Sequence, residues 1–320
     1  MTLDARRYLV PKLASDADTF RRRAFLFDNG RSAIRAFAAA MHAGTNDTVL
    51  CPAYVGWSPQ EGSGVLDPLT SLGLRVHYYR VGEDLQPDLD DVGAQFAASA
   101  PVGVLLIHFF GHVSTKSAEV VRLAKEAGAW VLEDCAHAML TQLVGEGAGD
   151  LGDASVFSLH KLLPISGGGA LLMRSGPASV SGLGADDVPP SLLWEFDLAA
   201  IARRRRANTS ILQGLLEPLA GQADPLWPVL NAGDVMQTFP VMLRTANRDR
   251  VYERMNARGF GVVSLYHTLV EGIDPAAHPA SHAVSGSILN LPVHQDLGEP
   301  QLVELVESLA EAIAAEPARA

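Results

Sequence analysis

The chain is poor in cysteine and in positive charge, and it has no apolar run of bilayer length. With only two cysteines in 320 residues, Cys51 and Cys135, it has neither a disulfide framework nor a cysteine-based metal cluster, and both thiols are expected to be reduced and buried. Lys and Arg number 25 against 36 Asp and Glu, a formal net charge of −11. That balance argues against a general nucleic-acid binder, whose affinity comes from neutralising phosphates. No stretch is long and apolar enough for a membrane-spanning helix, and the start MTLDARRYLV carries charges where a signal peptide needs an apolar core. A cytoplasmic protein is the expectation. No repeat or low-complexity block interrupts the chain.

What is present is a chain able to bury a large core, with 48% hydrophobic and 19% charged residues. From residue 25 to 174, β-prone and helical patterns alternate as in a doubly wound sheet. FLF is followed by an Asn29-Gly30 turn and by Ala33, Ile34, Phe37, Ala38 and Met41 at helical spacing, so a helix is predicted to begin near Ser32. Strands are predicted at Asp47 to Cys51, in LRVHYYRV, in the near-continuous apolar run VGVLLIHFFG, and at 130–132, 154–158 and 170–173. LDDVGAQFAAS and SAEVVRLAKEAG read as helices. SGPASVSGLGADDVPPS marks a loop or crossing, and a long helix carrying RRRR at 203–206 is predicted from about Leu192 to Leu219; the basic run reads as a solvated face, the alternatives being a contact with a substrate diphosphate or with an acidic surface of a second subunit. Beyond residue 222, TFPVML, GVVSLY and ILNLPV read as strands, with helices at NRDRVYERMNARG and PQLVELVESLAEAIAA. The expected division is an arm over 1–24, a large α/β domain over 25–215 and a small α+β domain over 216–320.

The chemistry is concentrated in residues 130–174. Glu133 and Asp134 end one apolar run, and a second run delivers Ser158, His160 and Lys161 into a loop that closes through Gly167, Gly168 and Gly169. A parallel strand presents its carboxyl end to a crevice. An aldehyde cofactor needs an amine to bond to and a carboxylate to keep its pyridine nitrogen protonated. Lys161 and Asp134 fit those needs in an order that suits pyridoxal phosphate. Singly, each has an ordinary reading as a turn residue or a solvated charge; together with a glycine run they point to a site. A helix start near Ser32 would also attract a phosphate.

EDCAHA, GDLGDASVFSLHK and GGALL resemble the DegT/DnrJ/EryC1/StrS family of aminotransferases, and NGRSAIRA, VLCPAY, LIHFFG and LNLPVHQDL follow in that family's order. The resemblance implies the fold type I architecture: a mostly parallel sheet sandwiched by helices, plus a small C-terminal α+β domain. It implies pyridoxal 5'-phosphate held by Lys161, with Asp134 on the pyridine nitrogen and His137 against the ring near its phenolic oxygen. Arg31, Ser32 and Ser158 fall at the phosphate positions. An aromatic from PAYVGWSPQ is expected over the ring, Trp57 and Tyr54 being the candidates and Trp57 the one taken. Many members place about four residues between the serine and the lysine, whereas only Leu159 and His160 lie between Ser158 and Lys161; His160 is read as a packed neighbour. An intersubunit Asn-x-Arg motif is missing in its usual form, and Asn208 is a loose substitute.

The resemblance implies a homodimeric aminotransferase with no metal, moving an amino group from an amino acid such as glutamate to a keto acceptor, a nucleotide-linked keto-sugar. Two rivals stand beside it. One is a dehydratase or other carbanion enzyme; some relatives that eliminate water carry histidine where Lys161 stands. The other is a catalytically silent regulatory relative.

Overall fold

The structure is a computed structural model that describes residues 23–41, 44–145, 147–174 and 196–316. The expected N-terminal arm up to residue 22, the loop 175–191 and the predicted helix start at Leu192 lie outside the described residues. In chain order the first half gives β1 (Arg23–Phe27), α1 (Gly30–Ala40), β2 (Thr48–Pro52), α2 (Leu66–Thr70), β3 (Arg75–Tyr79), α3 (Leu89–Ser99), β4 (Gly103–Ile107), α4 (Ser117–Glu126), β5 (Trp130–Asp134), α5 (Met139–Leu143), β6 (Ala154–Ser158) and β7 (Gly169–Met173). The second half gives α6 (Leu198–Leu216), β8 (Ala223–Pro225), β9 (Thr238–Leu243), α7 (Arg248–Ala257), α8 (Pro279–Ser287), β10 (Ile288–Pro292) and α9 (Glu299–Ala314).

Seven strands form one sheet in the order β1-β7-β6-β5-β4-β2-β3. Strands β2 to β6 pair in parallel, and β7 runs antiparallel to both β6 and β1. Every residue of β2, β5, β6 and β7 is buried, because helices cover both faces, and this is why these strands read as continuous apolar runs. Successive side chains go to opposite cores. Val49, Cys51, Leu105 and Leu132 join Ala33, Ile34 and Phe37 of α1, while Leu50, Val104, Leu106 and Val131 join Val92 and Phe96 of α3 and Val120 and Val121 of α4. Phe37 meets Trp130 edge-on at 5.3 Å.

The second sheet is antiparallel, in the order β10-β9-β8. Its Val241, Leu243, Leu289 and Leu291 pack with Leu212 and Leu216 of α6, Val251 of α7 and Leu302, Leu305 and Leu309 of α9.

Three local readings change. The helix expected near Ser32 starts at Gly30, capped by the Asn29 side chain. GVVSLY is not a strand: within it only Val263 makes a bridge, to Asn290. The reason is that the Leu265 N–H goes to the Asn290 side chain and the Tyr266 N–H to the Tyr54 hydroxyl, so the segment folds inward instead of pairing. Helix α8 and the short β8 were not anticipated from the pattern.

Candidate active site

The carboxyl ends of β4, β5 and β6 open on a cavity of about 600 Å³ lined by Ile107, Asp134, His137, Ser158 and Lys161, where an open α/β sheet presents its ligand crevice. Asp134 is the last residue of β5, and its Oδ1 accepts the Ala136 N–H at 2.8 Å. That turn carries His137 into the cavity. On β6, Ser158 ends the strand, and a single 3-10 turn, Leu159–Lys161, brings the lysine round. The short Ser158 to Lys161 spacing therefore still delivers the amine beside Asp134.

Lys161 Nζ lies 3.0 Å from His137 Nε2. His137 Nδ1 accepts the Phe110 N–H at 3.4 Å, and the two rings stack at 5.7 Å with an 18° interplanar angle. A ring nitrogen that accepts carries no proton, so the proton of a neutral His137 sits on Nε2 and points at Nζ. The arrangement then requires a lone pair on Nζ. Electrostatics agree: burial, then the charge of Lys161, holds His137 well below its ordinary pKa. Burial likewise lowers Lys161, against the pull of Asp134. Burial raises the Asp134 carboxyl, opposed by Lys161 and by the Ala136 N–H. A carboxylate in that condition gains from a cationic partner, and a protonated pyridine is one.

The first turn of α1 also borders the cavity, beside Ser158. Gly30 and Arg31 line it, but Ser32 does not; the Ser32 N–H is bonded to Asn29 Oδ1 at 2.9 Å. Arg31 Nη2 meets Glu61 Oε2 at 3.3 Å in an exposed pair. Strand β7 passes so close to this turn that a Cβ on Gly169 would lie 2.3 Å from Asn29 O, so only glycine fits. His160 is exposed, with its Nδ1 3.4 Å from Ser158 Oγ, and its pKa is lowered first by burial and then by Lys161.

Of the sequence-predicted residues, Lys161, Asp134, His137, Ser158, Arg31 and Trp57 share the cavity, and Ser32 stands just outside its lining. Trp57 is 45% exposed. The sequence reading missed Tyr266, Tyr252 and His267, which line the same cavity. No local signal marks them, since their placement depends on contacts such as that between Tyr54 and Tyr266, 212 residues apart.

Glu133 faces the opposite way and is fully buried. Its carboxylate accepts the N–H groups of Gly149, Leu151 and Gly152 at 2.8, 2.7 and 2.6 Å and sits 2.8 Å from His108 Nε2. Burial acts to raise its pKa, but His108 and these N–H groups outweigh it and hold it below the ordinary range. The arginine run is only partly a solvated face: Arg203 and Arg204 are exposed, Arg205 is buried and Arg206 half-buried. Arg204 donates to the Leu297 carbonyl, Arg205 to those of Met236 and Gln237, and Arg206 to those of Gly233 and Asp234. Asn208 is buried and donates to the His294 carbonyl at 2.9 Å, so it is engaged within its own chain.

The sheet and its flanking helices are those of fold type I aminotransferases. DesV of S. venezuelae, solved in complex with a ketimine intermediate, matches with a TM-score of 0.76 at 18% identity, over 95% of this chain and 88% of that one. The E. coli GDP-4-keto-6-deoxy-D-mannose-3-dehydratase, with bound hydrated PLP, matches with a TM-score of 0.72 at 16% identity, over 95% and 91%. In sequence, a UDP-4-amino-4,6-dideoxy-N-acetyl-beta-L-altrosamine transaminase of Campylobacter jejuni is 24% identical over 141 residues, 42% of this chain. The match spans only 38% of that curated relative's length. Residues 21–179 match the model of the DegT/DnrJ/EryC1/StrS aminotransferase family, and the chain belongs to that family.

Proposed function

We propose that the protein is a pyridoxal-phosphate-dependent aminotransferase. The observation that carries this reading is an amine, Lys161, and a carboxylate, Asp134, lining one cavity large enough for a cofactor and a small substrate. The residues present fit the group: an amine to bond to it, a carboxylate that gains from a protonated ring nitrogen, and a helix start for its phosphate. When bound, pyridoxal phosphate supplies a ring that takes up electron density from the substrate carbon. Asp134 would face that ring's nitrogen and keep it protonated. Lys161 Nζ would hold the cofactor and, when free, would accept and return the substrate proton as a base. His137, with its proton on Nε2, orients that amine. Ser158 and Arg31 would bind the phosphate end together with the first turn of α1, while Ser32 stays outside the lining.

The finer reading is a homodimer in the cytoplasm that uses an amino acid donor, glutamate, and a nucleotide-linked keto-sugar acceptor. Residues 25–215 form its cofactor-binding domain and 216–320 its small domain. Among the described residues no helix is long and apolar enough to cross a membrane. The sugar assignment rests on the names of similar proteins, while the aminotransferase assignment also rests on a lysine at position 161.

The test is a half-reaction. Cofactor-loaded protein mixed with amino donor alone should change its visible spectrum once, release a stoichiometric amount of keto acid and stop, and a keto acceptor should restore the starting spectrum. Sustained turnover of one substrate without an acceptor would instead indicate elimination.

A further inference from the structure

We propose that Tyr266, delivered from the loop between α7 and α8, is the aromatic wall that holds the cofactor's ring, and that Gly56 is kept small to seat it. The inference rests on the cofactor reading above and goes beyond it, because the aromatic is expected from the loop after β2.

That loop offers two rings, one buried outside the cavity lining and the other exposed. Tyr54 is fully buried; its hydroxyl donates to the Leu265 carbonyl at 2.9 Å and accepts the Tyr266 N–H at 2.8 Å. Trp57 lines the cavity but stands nearly half exposed. Between them, Gly56 leaves a gap. A Cβ built there would fall 2.1, 2.4 and 2.8 Å from Cδ1, Cγ and Cε1 of Tyr266. These are three atoms of one ring edge, so the phenol ring occupies the volume that a side chain at position 56 would fill.

Tyr266 is also held in place at its backbone. Tyr54 takes its N–H, and the Ser285 hydroxyl donates to its carbonyl at 2.7 Å. The flanking loop is stitched to the one after β2 by the Trp57 N–H to the Thr268 carbonyl at 3.1 Å and the Val270 N–H to the Val55 carbonyl at 3.0 Å. A ring with a fixed backbone on both sides loses little further freedom when a flat ligand lies against it, which is what makes a wall effective. Tyr266 lines the same cavity as Asp134 and Lys161. Burial and then the charge of Asp134 push its phenol up from the ordinary value, so the hydroxyl stays protonated near the carboxylate that faces the pyridine nitrogen.

The experiment is a titration of apoprotein with pyridoxal phosphate, read by the visible absorption band and its Kd, for wild type and for Tyr266→Phe, Tyr266→Leu and Trp57→Ala. The folding of each apoprotein is checked by circular dichroism. Tyr266→Phe should stay close to wild type, since the ring remains. Tyr266→Leu, which fills the space without a π face, should weaken binding about tenfold, the size of one aromatic contact, and move the band. Gly56→Ala should act in the same direction by displacing the ring. Equal affinities for the Phe and Leu variants, or a larger loss in Trp57→Ala than in Tyr266→Leu, would overturn the proposal. A wild-type protein that binds no pyridoxal phosphate would overturn the cofactor reading itself, a distinguishable outcome.

Discussion

The amine of Lys161 faces Nε2 of His137 at 3.0 Å, and the other ring nitrogen of His137 is taken by the Phe110 N–H. The backbone thus selects the tautomer that presents a proton to the lysine. His137→Gln keeps a donor within reach, whereas His137→Leu removes it and leaves the Phe110 N–H without its acceptor. The leucine variant should slow the first half-reaction about tenfold relative to the glutamine variant. Stopped-flow spectroscopy with the amino donor checks this, and equal rates would remove His137 from the mechanism.

The same histidine shapes the pH dependence of stability. Its folded pKa lies well below the ordinary value of 6.5. Below that value the unfolded chain binds a proton that the folded chain refuses, so stability is full above it and falls as pH drops through it. His160, His278 and His294, also lowered first by burial, add to the same slope. Apoprotein Tm should therefore drop between about pH 7 and pH 5, and His137→Gln should make the drop shallower. An unchanged slope in the variant would contradict the burial argument.

Adjacent carboxylates should fail in different ways. Glu133→Ala strips the acceptor from three N–H groups and from His108, so it should cost about 3–5 kcal/mol, read as a lower denaturation midpoint. Asp134→Asn keeps the shape and should leave the fold intact and the cofactor bound, while turnover falls about 10²- to 10³-fold. Finding the large stability loss at Asp134 and the large activity loss at Glu133 would reverse the assignment.

Gly169→Ala should destabilise by about 1–3 kcal/mol, because its Cβ would meet Asn29 O at 2.3 Å and force β7 away from the first turn of α1. The measurement is thermal unfolding of the apoprotein, and a neutral substitution would show that the close approach relaxes freely.

The sheet and the carboxylate-amine pair were legible in the sequence because buried parallel strands announce themselves as apolar runs, and Asp134 and Lys161 sit directly at their ends. Period-two alternation along β5 turns Glu133 away from Asp134. It could not show that the loop 147–153 closes over Glu133, which makes it a structural anchor instead of a neutral neighbour. The arginine run at 203–206 read as a solvated face because a charge pattern does not reveal which carbonyls lie opposite. GVVSLY has strand composition, yet two distant side chains, Asn290 and Tyr54, capture its N–H groups and turn it toward the cavity. Tyr266 was hidden for that reason.

The central claim is that Lys161 is the residue that bonds to the cofactor. Borohydride reduction of the cofactor-loaded protein, followed by peptide mass mapping, tests it most directly. The account predicts a reduced pyridoxyl phosphate group on the peptide bearing Lys161 and its loss in Lys161→Ala; the same group on Lys116 or Lys125 would contradict it.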